Sequence, residues 1–103
     1  MITSKTPYRL SLFGGGTDYP DWFSKHPSIV ISAAMANYCY VSIKKLPPFF
    51  DHKYRISYSK IEHAKTIDDI EHPAIRSCLS FTNISDGLSL HYDGDLPARS
   101  GIG

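Results

Sequence analysis

A chain of 103 residues is long enough for one small domain with a hydrophobic core. Its composition, 42% hydrophobic and 20% charged, is typical of a soluble protein, and a net charge of +1 excludes strong attraction to nucleic acid or anionic lipid. The N-terminus lacks an apolar core of signal-peptide length, and the longest apolar stretch, residues 29–41, is interrupted by Ser32 and Asn37. We therefore expect a cytoplasmic protein without nucleic-acid or membrane partners.

The two cysteines, Cys39 and Cys78, both lie in apolar contexts. This pattern indicates reduced, buried thiols and gives no support to a disulfide. The histidines have no metal-ligand spacing and are interpreted as surface or capping residues: His26, His52, His63, His72 and His91. The sequence therefore predicts no metal site among these residues.

The most informative stretch is PYRLSLFGGGTDYP, residues 7–20, in which a strand runs into three glycines. Alternation over Tyr8–Phe13 predicts a half-buried strand. Gly14–Gly16 carry no side chains, so the backbone can turn sharply there and a ligand can approach its amides. Taken alone, the glycines are also compatible with a tight turn that binds nothing.

The rest of the chain predicts a mixed α/β arrangement in the order strand, short helix, strands, helix, strand. The predicted elements are a helix begun at Pro20 through Phe23, paired strands Ile29–Ser32 and Tyr38–Lys44 with a turn at Asn37, a strand Lys53–Tyr58, a helix Pro73–Asn83, and a strand Leu88–Asp93. In the longer helix the expected apolar stripe is Ile75, Cys78, Leu79 and Thr82. The polar stretch Ser59–Glu71 is interpreted as an exposed connection with little regular structure.

A second glycine motif, DLPARSGIG, occupies Asp95–Gly103. Gly101 and Gly103 let successive backbone N–H groups converge on a phosphate oxygen, and Ser100 can donate a further hydrogen bond. Arg99 either lies near the phosphates or is solvated. Alone, such a stretch is usually an ordinary loop, but it follows the first motif within the same small domain.

Together, RLSLFGGGTDYP and DLPARSGIG resemble the first and second motifs of the galactokinase, homoserine, mevalonate and phosphomevalonate (GHMP) kinase superfamily. FGGGTDYP is similar to the branch that phosphorylates heptose phosphates, whereas galactokinases carry Glu and His in place of Gly15 and Gly16. The resemblance implies an α+β fold, the N-terminal part of a ribosomal protein S5 domain 2-like domain with a mixed sheet and two helices. Residues 1–103 are then a partial N-terminal domain that ends inside the phosphate-binding loop, with the C-terminal domain absent.

The resemblance also implies roles for individual residues. Arg9 matches the arginine near the reacting groups, as a catalytic residue that stabilises charge or orients the acceptor. The expected acceptor site is Gly14, Gly15, Gly16, Thr17 and Asp18, with Asp18 accepting hydrogen bonds from sugar hydroxyls. The expected ATP-binding loop is Pro97, Ala98, Arg99, Ser100, Gly101, Ile102 and Gly103. The simpler alternatives are that Arg9 pairs with an acidic neighbour and that Asp18 only caps the next helix.

The function that the resemblance implies is ATP-dependent transfer of the γ-phosphoryl group to the anomeric hydroxyl of a heptose 7-phosphate. The alternative within the enzyme class is a kinase for another sugar or sugar phosphate. Because the Mg²⁺ ligands of such kinases are expected beyond Gly103, the chain alone is expected to be an inactive fragment. The alternative outside the enzyme class is a non-catalytic folded domain that self-associates or needs a partner, such as the missing C-terminal half. Residues 49–80, which would line part of an adenine pocket, carry no recognisable signature.

Overall fold

The structure of the chain, a computed structural model, describes residues 1–97. These residues form β1 (Ile2–Phe13), α1 (Pro20–Phe23), β2 (Ile31–Lys45), β3 (Tyr54–Ser57), β4 (Ile61–Ala64), α2 (Pro73–Thr82) and β5 (Leu88–Gly94), with a 3₁₀ turn at Gly15–Thr17. The strands make one sheet in the order β1-β2-β5-β3-β4. Because β3 runs antiparallel to β4 and parallel to β5, the sheet is mixed, and with its two α-helices it confirms the predicted class.

The chain divides into two compact units. Unit 1 comprises Met1–Lys5 and Tyr40–Asp93, and unit 2 comprises Thr6–Cys39 with the chain from Gly94 onward. Every buried side chain in residues 1–97 belongs to unit 1, and no described residue of unit 2 is buried. The hydrophobic core of the described chain is therefore a core of unit 1.

The core of unit 1 is built by alternation in short strands. The inward side chains of β3 are Tyr54 and Ile56, and their partners in register on β5 are Leu88 and Leu90. Complete burial of one isoleucine such as Ile56 contributes about 1.5–3 kcal/mol. The other buried members are Ala64, Ile70 and Leu79, and half-buried Val41, Ile43, Tyr58, Ile67 and Ile75 pack against them.

Helix α2 begins where the sequence predicts and ends one residue before the predicted bound. The His72 ring caps its start, since Nδ1 accepts a hydrogen bond from the Ile75 N–H at 3.4 Å, and Pro73 occupies the first turn. Asn83 ends the helix in the left-handed conformation, with φ of 53°. No helix within the described range has the length and apolar content that crossing a bilayer requires.

The predicted apolar stripe of α2 is too broad. Leu79 is buried and Ile75 half-buried, but Cys78 and Thr82 are exposed. Two side chains four positions apart are enough to pack this helix on the sheet. Both cysteines are free, as predicted, but the expected burial is wrong for Cys78 and only partly met by the half-buried Cys39.

The prediction that Ser59–Glu71 lacks regular structure is wrong. This stretch contains β4, which pairs antiparallel with β3, and Ile70 in the loop that follows is fully buried. The pattern misleads because Ile61 points outward, 57% exposed, whereas Glu62 points inward at 6%. A strand with an acid on its core face does not show the expected apolar alternation.

Two predictions for the first half of the chain also need correction. The paired strands with a turn at Asn37 are one continuous strand, β2, because no glycine or proline interrupts the chain there. Strand β1 begins at Ile2, earlier than predicted, and it is not half-buried. Leu10 and Leu12 are 44% and 52% exposed, since no described residue covers that face of the strand.

Candidate functional site

The first glycine of the loop is fixed by its backbone conformation. Gly14 has φ of 87°, a left-handed value that side chains rarely adopt, and a Cβ there would overlap the carbonyl oxygen of Ile29. The next residues form one 3₁₀ turn, in which the Thr17 N–H donates to the Gly14 carbonyl at 3.0 Å. Gly14 is therefore needed for the turn itself, whatever the loop binds.

The other two glycines are open. A Cβ on Gly16 would meet no atom within 4 Å, and a Cβ on Gly15 would meet only the Ser11 hydroxyl, at 3.5 Å. Neither has a positive φ. Packing therefore does not require glycine at either position, which leaves free space above the backbone at the predicted acceptor site.

The hydroxyl groups of Thr17 and Ser28 hold the loop together through hydrogen bonds. The Thr17 Oγ1–H donates to the Gly14 carbonyl at 2.7 Å, and Thr17 Oγ1 lies 2.8 Å from Ser28 Oγ. The Ser28 hydroxyl also donates to the Thr17 carbonyl at 2.9 Å. Sequence reasoning missed Ser28, because eleven positions separate it from Thr17 and no local motif joins them.

The two charged residues of the predicted site are exposed and unpaired within residues 1–97. Arg9 lies on β1 and Asp18 directly follows the 3₁₀ turn. No acidic neighbour pairs with Arg9 among residues 1–97, where ion pairs such as Lys45–Asp86 and Lys60–Glu71 do form. The residue before α1 is Tyr19, and no side-chain capping bond is made there. Asp18 therefore does not cap α1, and both charges are free to meet a ligand.

The described residues include only the first residue of the predicted phosphate loop. Pro97 is exposed, whereas Ala98, Arg99, Ser100, Gly101, Ile102 and Gly103 lie outside the described residues. Two residues before Pro97, Asp95 is held to Tyr38 of β2. The Asp95 N–H donates to the Tyr38 carbonyl at 2.9 Å, and the Tyr38 N–H donates to Asp95 Oδ2 at 2.7 Å. The entry to the loop is thus fixed to the sheet.

Unit 1 contains a cavity of about 370 Å³. It begins where β2 ends, and its walls combine apolar rings with charged side chains: Leu46, Pro47, Pro48, Phe50, Asp51, His52, Lys53, Lys65 and Gly87. The lining carries charges of both signs, from Asp51, Lys53 and Lys65, beside the apolar rings. Most of the lining comes from residues 46–53, for which the sequence pattern predicts no site.

His52 is the least satisfied side chain of that cavity wall. Its ring stacks on His63 with centroids 4.1 Å apart and lies 5.3 Å from the Phe50 ring. Its Nε2 is buried with no hydrogen-bond partner among the described residues. Burial, followed by the charges of His63 and Arg55, lowers the pKa of His52, so the ring is neutral at pH 7. The interpretation of His52 as a surface residue is therefore wrong, while His72 does cap a helix.

A buried acid in unit 1 also escaped the sequence analysis. Glu62 accepts hydrogen bonds from the Tyr58 hydroxyl and, at 2.8 Å, from the Glu71 N–H. Burial raises the pKa of Glu62, but these hydrogen bonds and the charges of Lys60 and His72 outweigh it and hold the pKa below its usual value. Glu62 is therefore an ionised group that ties β4 to the start of α2.

The chain is similar in sequence to a curated kinase. It is 30% identical to the D-glycero-alpha-D-manno-heptose 7-phosphate kinase of Campylobacter jejuni over 111 aligned residues. The match takes in 99% of this chain but 33% of the relative, so the chain spans about a third of the length of that enzyme. No family model matches the chain.

The fold has a solved neighbour of the same kind. A crystal structure of a D-glycero-D-manno-heptose 1-phosphate kinase from Bacteriodes thetaiotaomicron matches 97% of this chain and 36% of its own, with a TM-score of 0.69 and 19% identity. At that identity the likeness concerns the fold alone. In sequence and in fold the chain thus resembles about one third of a heptose phosphate kinase, and the predicted resemblance to the GHMP superfamily is confirmed.

Proposed function

We propose that this chain is the N-terminal part of an ATP-dependent heptose phosphate kinase and carries the acceptor side of its active site. The curated relative is a heptose 7-phosphate kinase, which makes a heptose 7-phosphate the proposed acceptor. The observation that supports this best is the pair of exposed charges without a side-chain partner in residues 1–97, Arg9 on the strand that leads into the glycine loop and Asp18 directly after the loop. In the proposed reaction the anomeric hydroxyl loses its proton and bonds to the γ-phosphorus of ATP, while the bond from that phosphorus to ADP breaks.

The two charged residues have complementary tasks in this proposal. The carboxylate of Asp18 only accepts hydrogen bonds, and it holds two neighbouring hydroxyls of the sugar. The guanidinium of Arg9 stabilises the negative charge that spreads over the phosphoryl oxygens during transfer. Gly15 and Gly16 leave room for the sugar to approach the backbone.

The phosphates of ATP are assigned to the loop that begins at Pro97 and includes Ala98–Gly103, outside the described residues. The bonds between Asp95 and Tyr38 support this assignment, because they fix the point where the chain enters the loop. Within residues 1–97 no three His, Cys, Asp or Glu side chains come together to hold a metal ion. No step is therefore assigned to Mg²⁺ held by the described part of the chain.

A second candidate is a domain that depends on a partner. Unit 2 has no buried residue in its described part, although many of its large apolar side chains are at least 44% exposed: Leu10, Leu12, Phe13, Tyr19, Trp22, Phe23, Ile29 and Ile31. So much exposed apolar surface marks a protein interface. Two thirds of the curated relative lie outside the match, so further polypeptide of that kind, or a second copy of this chain, is the proposed cover.

One experiment separates the two candidates. The purified protein is incubated with ATP and a heptose 7-phosphate, product is followed by ³¹P nuclear magnetic resonance, and the intact mass of the same sample is recorded. Turnover by a polypeptide larger than 11.5 kDa supports a kinase of which this chain is a part. Turnover of another sugar phosphate but not the heptose would change the acceptor. Absence of turnover and of sugar-phosphate binding would support the non-catalytic domain.

A further inference from the structure

We propose that Thr17 and Ser28 form a hydroxyl latch that sets the loop carrying Asp18, and that neither hydroxyl donates a hydrogen bond to the acceptor sugar. The proposal rests on the proposed function, because it divides the predicted acceptor site into residues that bind and residues that position. It assigns a role to Ser28, which no sequence motif marks. It also gives Thr17, which the sequence predicts to bind the substrate, the role of positioning the loop instead.

The hydrogen bonds of the latch use every hydroxyl proton that it has. Each hydroxyl group has one proton to donate and two lone pairs to accept. The Thr17 proton goes to the Gly14 carbonyl at 2.7 Å. Since Thr17 Oγ1 has no second proton, its 2.8 Å contact with Ser28 needs the Ser28 proton, which is also directed at the Thr17 carbonyl at 2.9 Å. No proton remains for a sugar oxygen.

The latch joins three points of unit 2. Gly14 directly follows β1, Thr17 ends the 3₁₀ turn, and Ser28 lies three residues before β2. The turn between them is otherwise held only by the Thr17 N–H at 3.0 Å and by the longer Asp18 N–H to Gly15 carbonyl bond at 3.3 Å. Because no described residue of unit 2 is buried, we assign the restraint on Asp18 to these hydrogen bonds and not to packing.

A positioning role and a binding role predict different responses to substitution. A positioning hydroxyl orders the loop before any ligand arrives, and its loss acts through Asp18. A binding hydroxyl does not order the free loop, and its loss acts independently of Asp18. The two roles are therefore separable by measuring the free protein and by combining substitutions in a double-mutant cycle.

The test uses Thr17→Val, which removes the hydroxyl at nearly constant volume, Ser28→Ala, and Thr17→Ser as the matched control. Amide hydrogen exchange is measured at Thr17 and Asp18 in the free protein, with Ile56 of the unit 1 core reporting on folding. Loss of a neutral hydrogen bond should speed exchange at the loop amides by about two- to tenfold in the first two variants. Thr17→Ser should exchange as the wild type, and Ile56 should not change in any variant.

Calorimetric titration with a heptose 7-phosphate completes the cycle. Thr17→Val should weaken binding by about two- to tenfold in the wild-type background, but should cause no further loss in Asp18→Asn. Equal losses in both backgrounds would identify Thr17 as a direct ligand and overturn the proposal. Unchanged exchange at the loop amides would also overturn it. Failure of the wild-type protein to bind would overturn the proposed function instead, and exchange alone would still decide whether the latch exists.

Discussion

Asp95 and the backbone of Tyr38 are joined by a reciprocal pair of hydrogen bonds: the Asp95 N–H donates to the Tyr38 carbonyl at 2.9 Å, and the Tyr38 N–H donates to the Asp95 carboxylate at 2.7 Å. The two residues are 57 positions apart, and Asp95 is the residue that follows the last strand. Because both bonds use the backbone of Tyr38, they fix Asp95 to one register of β2. Asp95 therefore determines where the chain leaves the sheet before Pro97.

Replacing Asp95 with alanine should weaken the attachment of the chain to β2 at this point. The Tyr38 N–H then loses its acceptor, and its amide exchange should become about two- to tenfold faster. Asp95→Asn keeps an acceptor oxygen in the same place and should exchange nearly as the wild type. Equal exchange at Tyr38 in all three proteins would show that the carboxylate does not hold the strand.

The first and third glycines should differ sharply in their tolerance of a side chain. Gly14→Ala forces a left-handed alanine into the Ile29 carbonyl and should destabilise unit 2 by about 1–3 kcal/mol or more. Gly16→Ala meets no atom and should change stability by less than about 0.5 kcal/mol. Urea denaturation measures both, and Gly16→Ala then isolates any effect on sugar binding. Equal destabilisation by the two substitutions would contradict this description of the loop.

Glu62 should make the stability of unit 1 depend on pH in the acid range. Its pKa in the folded state lies below the ordinary value of 4.5, so ionised Glu62 stabilises the fold above that pH. The contribution is lost as the pH falls through the folded pKa, when Tyr58 and Glu71 lose a charged acceptor. Glu62→Gln should therefore cost about 1 kcal/mol near neutral pH and almost nothing in strong acid.

The control for this prediction is Glu71→Gln. Glu71 is exposed and pairs with Lys60 at the surface, so its loss should change the stability of unit 1 little. Urea denaturation of the wild type and both variants at a series of pH values makes the comparison. A constant difference between wild type and Glu62→Gln across the acid range would show that Glu62 is not ionised in the fold.

The single tryptophan reports on the exposed apolar surface of unit 2. Trp22 is 45% exposed and lies against the His26 ring, with centroids 4.4 Å apart. If a second copy covers this surface, Trp22 emission should shift to the blue as the protein concentration rises. Phe23→Ser should weaken that association several-fold, because it removes an exposed ring of the same surface.

Phe81 provides the control, since it is 92% exposed but belongs to α2 in unit 1. Phe81→Ser should leave the concentration dependence of Trp22 emission unchanged. Light scattering on the same samples gives the mass of the associated species. A monomer at all concentrations, with no shift in emission, would rule out a second copy as the cover.

Local signals predicted those elements that local chemistry determines. His72 before Pro73 and Tyr19 before Pro20 mark the starts of both helices, and the structure has them there. Alternation placed β3 and β5 within one or two residues. The predictions failed where contacts outside the local sequence pattern determine which side chains are buried. Glu62 faces the core because Tyr58 and the Glu71 amide satisfy it, which no local pattern reveals.

The residues of the candidate site likewise divide into those that the local sequence predicts and those that it does not. The glycine loop was evident from residues 14–18 alone, and its charged members proved to be exposed and unpaired in the described chain. Ser28 and Asp95 were not predicted, since each acts through a partner that is remote in sequence, Thr17 and Tyr38 respectively. The burial of β1 was predicted wrongly because alternation shows which face is apolar but cannot show whether other polypeptide covers it.

The central claim is that Asp18 binds the hydroxyls of a heptose phosphate. The most direct test is calorimetric titration of a heptose 7-phosphate into the wild type, Asp18→Asn and Asp21→Asn. Asp21 is the matched control, because it is an exposed acid three residues away in α1. Loss of hydrogen bonds to a charged group should weaken binding by Asp18→Asn about ten- to a hundredfold, and Asp21→Asn should bind as the wild type. Equal affinity in all three proteins would contradict the claim.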